Sequence, residues 1–143
     1  MTAPRIPGFP ITPRPLRQLL GPLQTSAQGM SVQQKFMDVI SANIANAETT
    51  RTPDGGAYQR QIAVVTRDPA TGALTTRVVQ DGATGRKEYD PGHPDADAQG
   101  YVTYPNVDIN TELVDLMVVR RVHEANASVF QAAKAMLRRA LDI

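Results

Sequence analysis

The segment from Met37 to Pro53, MDVISANIANAETTRTP, constrains this chain more than any other. It opens as an amphipathic helix and stops in a polar, Asn- and Thr-rich turn that runs into Pro53 and Asp54-Gly55-Gly56. A second long helical pattern closes the sequence, from about Thr111 to Ile143. Helical seams at both ends, with little catalytic chemistry between them, describe a part made for assembly.

The first helix is expected from about Ser26 to Asn46. Met30, Met37, Ile40 and Ile44 fall at steps of seven, three and four, with Gln33 in the missing place, which is a heptad seam. Asn46 offers a left-handed cap, the threonines that follow disfavour continuation, and Pro53 ends the pattern. In the last helix Val118, Val122, Ala125, Val129, Ala132, Met136 and Ile143 trace one apolar seam. Leu113, Met117, Phe130, Leu137 and Leu141 trace a second. Two stripes on one helix need more than one neighbour. One neighbour is the first helix, lying antiparallel; the others come from the middle of the chain or from other chains. Asn110 or Thr111 is placed to cap this helix, with Glu112 and Asp115 in its first turn.

The middle reads as turns and short strands. Tyr58–Thr66 and Ala73–Gln80 are rich in β-branched residues, and Asp68-Pro-Ala-Thr-Gly72 fits a hairpin loop between them. Tyr101–Tyr104 reads as a third short strand after a turn-rich stretch. Ahead of the first helix, Leu16–Leu23 has the makings of a short helical turn interrupted by Gly21-Pro22. The first fifteen residues hold Pro4, Pro7, Pro10, Pro13 and Pro15 and read as an extended arm. The expected fold is mainly α with a small β insertion. A Pro-rich arm (1–25) leads to paired, antiparallel, coiled-coil-like terminal helices (26–50 and 107–143), which flank a β-hairpin and loop-rich middle region (51–106).

Composition limits the functions open to such a chain. Its 143 residues suit one modest domain, and aromatics make up only 5% of them. With 15 basic and 14 acidic residues there is no overall field to attract nucleic acid. Arg120-Arg121 and Arg138-Arg139 read as solvated helix edges. The absence of cysteine removes disulfides and thiolate chemistry. No stretch approaches the roughly 20 apolar residues of a membrane span, and prolines occupy the place of a secretory signal.

Candidate chemistry is sparse. His123-Glu124-Ala-Asn-Ala127 starts like a zinc-protease helix but has Ala where the second His belongs. Asp90, His93, Asp95 and Asp97 form an acidic loop that resembles half of a calcium site but lacks its closing carboxylate. The plainer reading is a loop in which Asp side chains hold nearby backbone donors. Asn126-Ala-Ser128 matches a glycosylation acceptor but lies within a helix. Asn43, Asn46 and Asn126 lie beside the seams, where a polar amide fixes register and partner choice. The expected assembly interface therefore comprises Met30, Met37, Ile40, Asn43, Ile44 and Asn46 on the first helix, and Val118, Val122, Ala125, Asn126, Val129, Phe130, Met136 and Leu137 on the last.

Ser41–Thr50 (SANIANAETT) resembles the N-terminal signature of the flagellar axial proteins. Arg51–Tyr58 (RTPDGGAY) continues it in the form found in proximal-rod members. Tyr89–Asp97 (YDPGHPDAD) and Gly100–Val107 (GYVTYPNV) are similar to the central segment of those members. Val114–Met117, His123–Asn126 and Ala140–Ile143 resemble the family's C-terminal helix. Two features depart from it: the arm before about Leu16 is longer, and His123 stands where Tyr is common. The resemblance implies a structural subunit of the proximal rod, not an enzyme, exported unfolded by the flagellum's own type III apparatus to the periplasmic basal body. It implies partners among the other rod proteins (FlgB, FlgF and FlgG), with FliE and the MS-ring and export-gate region, in a large hetero-oligomeric assembly. No cofactor, nucleic acid or small-molecule substrate is expected. Other readings of the same residues are a helical-hairpin export chaperone or adaptor and a metal-dependent enzyme built on the Asp90–Asp97 loop.

Overall fold

The computed structural model describes residues 16–141. The expected Pro-rich arm up to Pro15 and the seam residue Ile143 lie outside the described residues. Two long helices flank, in chain order, two small sheets: α1 (Leu16–Ala45), β1 (Gln61–Arg67), β2 (Leu74–Gln80), β3 (Lys87–Tyr89), β4 (Tyr101–Thr103) and α2 (Ile109–Leu141). The architecture is mainly α with a small β insertion, as the residue pattern predicts.

α1 starts ten residues before Ser26 and runs through Gly21-Pro22. Leu16-Arg-Gln-Leu-Leu are good helix formers. A proline this close to a helix start forfeits one backbone bond near the frayed end, which is not enough to split the helix. At the other end the cap works differently from the left-handed one expected. No residue other than glycine has a positive φ among those described. Asn46 instead donates its side-chain amide to the Ala42 carbonyl at 2.9 Å and accepts the Thr49 hydroxyl at 3.2 Å.

α2 is capped by Asp108, not by Asn110 or Thr111. The Asp108 carboxylate accepts the Asn110 N–H at 3.0 Å and the Thr111 hydroxyl at 2.8 Å. These bonds, the hydroxyl first, hold its carboxyl below the usual range. Glu112 in the first turn and Arg138 and Arg139 in the last complement the helix dipole.

The helices are antiparallel. Asn43, near the end of α1, bonds Glu112 at the start of α2, and Gly29 lies against Asn126 farther along. The inward row of α1 is Gly29, Val32, Phe36, Val39 and Asn43, and that of α2 is Glu112, Leu116, Val119, His123, Asn126, Phe130, Ala133 and Leu137; each is buried or half-buried. Both rows alternate steps of three and four, the spacing of a coiled-coil seam.

β1 and β2 form the expected hairpin, in register from Gln61 opposite Gln80 to Arg67 opposite Leu74. Asp68 shapes the loop by accepting the N–H groups of Ala70 and Thr71, and Gly72 takes a φ of 70°. β1 begins three residues after Tyr58 because the preceding backbone is already engaged: Tyr58 N–H donates to the Thr49 carbonyl, and Arg60 N–H to Asn106 Oδ1. The short strand after the turn-rich stretch is present as β4, and its antiparallel partner is β3. Lys87-Glu-Tyr89 carries too little apolar signal to be read as a strand from sequence. Tyr89 and Tyr101 cross edge to face at 5.3 Å, and Gly100, at φ 83°, leaves room where a Cβ would stand 2.9 Å from the Tyr89 ring. The first hairpin packs on α1, and among the described residues no strand makes backbone contact with α2.

Candidate assembly surface

The faces of α2 are chemically distinct. From Ile109 to Ala140 every residue outside the inward row is exposed except Ala127. The exposed side is nevertheless apolar. Val114, Met117, Val118, Val122, Val129 and Met136 stand in solvent, with Met117 70% and Met136 66% exposed. A fold this small seldom leaves a continuous apolar stripe open along a helix.

The expected interface residues divide accordingly. Val118, Val122, Ala125, Val129 and Met136 lie on this outer stripe, together with Leu113 and Met117. Asn126, Phe130 and Leu137 lie on the inner row, against α1. The two seams read from the sequence are therefore not two complete stripes: one is outward at each of its described residues, Val118 to Met136, and the other crosses between faces. On α1, Ile40 and Asn43 are buried, while Met30, Met37 and Ile44 are half-buried, as is Asn46 just past its end. Of the seam expected through Met30, Met37, Ile40 and Ile44, only Ile40 reaches the core; the other three lie roughly 120° around the helix from the inward row, given 3.6 residues per turn. Val32 and Val39, which that seam omitted, are buried with Ile40 and share the packing.

The helix pair closes on a polar cluster. Asn43 and Glu112 are each 1% exposed. Asn43 Oδ1 accepts the Gln61 N–H at 2.8 Å and the Tyr58 hydroxyl at 3.0 Å, and its Nδ2 donates to the Gln61 carbonyl at 2.9 Å. The same amide donates to Glu112 Oε2 at 3.1 Å. Arg60 Nε donates to Glu112 Oε1 at 2.6 Å, and its guanidinium also lies 3.7 Å from Asp81. Burial first, and the Glu112 charge second, raise the Tyr58 phenol above its ordinary value. Asn43 thus caps the open start of β1 with two bonds, and Glu112 joins α2 to α1 and to the entry of the first hairpin. Residue reasoning found Asn43 but missed Tyr58, Gln61 and Glu112 as its partners, and Arg60 as the partner of Glu112. The available signal was the YQR run entering β1, and Glu112 was read only as a favourable first-turn charge.

The acidic loop holds itself together. Asp90 accepts the Gly92 N–H, His93 Nδ1 accepts the Asp95 N–H, and Asp97 accepts the N–H groups of Gln99 and Tyr101. Asp95 reaches out of the loop to Arg51 Nε at 2.8 Å and to the Thr50 hydroxyl at 2.7 Å, tying the second hairpin to the segment after α1. Among the described residues no three His, Asp or Glu side chains converge as metal ligands would. No helix among them is long and apolar enough to cross a membrane.

Comparison with known proteins assigns this arrangement. The family model described as "Flagella basal body rod protein" matches residues 23–51, and that described as "Flagellar basal body rod FlgEFG protein C-terminal" matches residues 98–143. The flagellar basal-body rod protein FlgC of Borreliella burgdorferi is 35% identical, over 87% of this chain and 97% of that protein. FlgC of Salmonella typhimurium is 34% identical over the same shares, and FlgC of Bacillus subtilis 33% identical over 85% and 95%. The chain belongs to the FlgC family. It is a structural rod subunit of the flagellum and not an enzyme, and the chaperone or adaptor reading is not favoured. In this FlgC-family chain the two matched segments hold most of α1 and all of α2, so the family's signature falls on the helix pair.

Proposed function

We propose that this chain is a subunit of the proximal rod, and that it joins the flagellar basal body by packing the outer stripe of α2 against neighbouring rod subunits. The observation that carries the reading is the apolar face of α2, which stands exposed at Val114, Met117, Val118, Val122, Val129 and Met136. Burying it against another helix offers roughly 25 cal/mol for each Å² removed from water, a gain available only in the assembly. Contacts between unlike patches that do not close on themselves build a helical shaft and not a ring. The neighbours proposed are further copies of this chain and the rod proteins FlgB, FlgF and FlgG, with FliE and the MS-ring and export-gate region at the base. The route proposed is unfolded export through the flagellar type III apparatus into the periplasm. Such a shaft transmits torque and leaves a central channel for later subunits.

Val129→Asp tests the surface. Val129 is exposed in the single chain, so the substitution leaves the helical content of the purified chain unchanged. In a rod it places an unpaired charge in a buried contact. The expected result is a folded chain that is not incorporated and cells without complete rods. Normal rods would overturn the stripe as the docking surface.

A further inference from the structure

We propose that Glu112, through Arg60 and Asn43, sets the register of the α1–α2 pair. Apolar packing alone tolerates slippage here. Both inward rows repeat at heptad spacing, and Val32 and Val39 on α1 are the same residue one heptad apart. Phe130 and Leu137 on α2 are likewise apolar one heptad apart, and Gly29 presents no side chain that would resist a slide. Two inter-helix contacts, Gly29 with Asn126 and Asn43 with Glu112, are two heptads apart on each helix, from residue 29 to 43 on α1 and from 112 to 126 on α2.

Slipping by one heptad breaks this match in either direction. One slip brings Glu112 opposite Phe36, where its carboxylate loses both donors. The other carries it beyond Ala45, off the end of α1. A fully buried carboxylate without donors is far worse than one held by Arg60 and Asn43. The cluster therefore penalises the wrong alignments more than it rewards the right one. This rests on contacts within one chain and not on which partners cover the outer stripe, so its failure would leave the docking proposal standing.

The experiment uses the full-length chain, which has no native cysteine to interfere. Paired substitutions Gly29→Cys with Asn126→Cys report the native register. Gly29→Cys with Val119→Cys or with Ala133→Cys reports the two one-heptad slips. In the otherwise native chain the 29–126 bridge is expected to exceed either slipped bridge by at least about tenfold. Adding Glu112→Leu with Arg60→Met, which removes the buried pair together and leaves Asn43 bonded to Gln61, is expected to keep the helical content and to raise the slipped bridges to a comparable level. Glu112→Gln with Arg60→Gln retains hydrogen-bonding groups and is expected to restore the single 29–126 bridge. Three results would overturn the proposal: no dominant 29–126 bridge in the otherwise native chain, a single register in the Leu/Met variant, or loss of its helices. The last would make the cluster a source of stability and not of alignment.

Discussion

At the scale of the residue, buried polar side chains do more here than large apolar ones. Glu112 and Asn43 are as deeply buried as Val102, and each is fully engaged. Arg60→Met alone should destabilise the fold by about 3 kcal/mol, because it strips the strongest donor from a buried carboxylate; denaturant unfolding checks this, and the matched change at Glu112 should recover much of the loss. Asp108 gives a prediction in pH. Its carboxyl is lowered in the fold, so the stability it contributes is present above the ordinary carboxylate range and is lost as pH falls through the lowered value. Amide exchange at Asn110 and Thr111 should accelerate through that acid window, and Asp108→Ala should show fast exchange at neutral pH too. Gly85 shows a steric limit, since a Cβ there would collide with the backbone carbonyl of Tyr104. Gly85→Ala should cost about 1–3 kcal/mol and disturb the β3–β4 sheet, visible as lost protection at Tyr104 N–H, which donates to Arg86.

At the scale of the element, sequence reasoning read existence well and orientation poorly. Both helices, the first hairpin with its Asp68 loop and the short strand β4 follow from periodicity and turn chemistry. The start of α1 did not, because a Gly-Pro pair reads as a break when taken locally. Nor did β3, whose charged residues are held by pairing with β4 and not by burial. The larger miss concerns which stripe faces inward. The α2 rows through Val118 and through Val119 differ by one residue, and the more apolar of the two is the one that stands in solvent. Periodicity finds a seam but cannot say whether the chain itself or a neighbour covers it. The inner row includes Glu112, His123 and Asn126, polar residues that a hydrophobic template passes over. Val39→Ala on the inner row of α1 should cost about 1–3 kcal/mol by opening space in a buried contact, measured by thermal unfolding of the isolated chain. Val129→Asp on the outer row should leave that transition in place.

At the scale of the whole molecule, the two hairpins belong to one side of the pair. The first lies along α1, and the second is fastened by Asp95 to the segment just after α1, while α2 carries no sheet of its own. Amide exchange on the isolated chain should therefore show a gradient. Protection should be highest near the Asn43–Glu112 cluster and fall toward the far ends of both helices, where apolar faces lack cover. Incorporation into a rod should raise protection most in the later part of α2. Uniformly high protection in the free chain, unchanged on assembly, would contradict a surface completed by neighbours.

The antiparallel pairing also has a mechanical side. Two rods lying along each other and drawn lengthwise in opposite directions are loaded in shear, so their bonds strain together instead of parting one after another. The same joint peeled open from an end would give way step by step. The α1–α2 pair is such a joint, stiffer when drawn along its length than when peeled from an end.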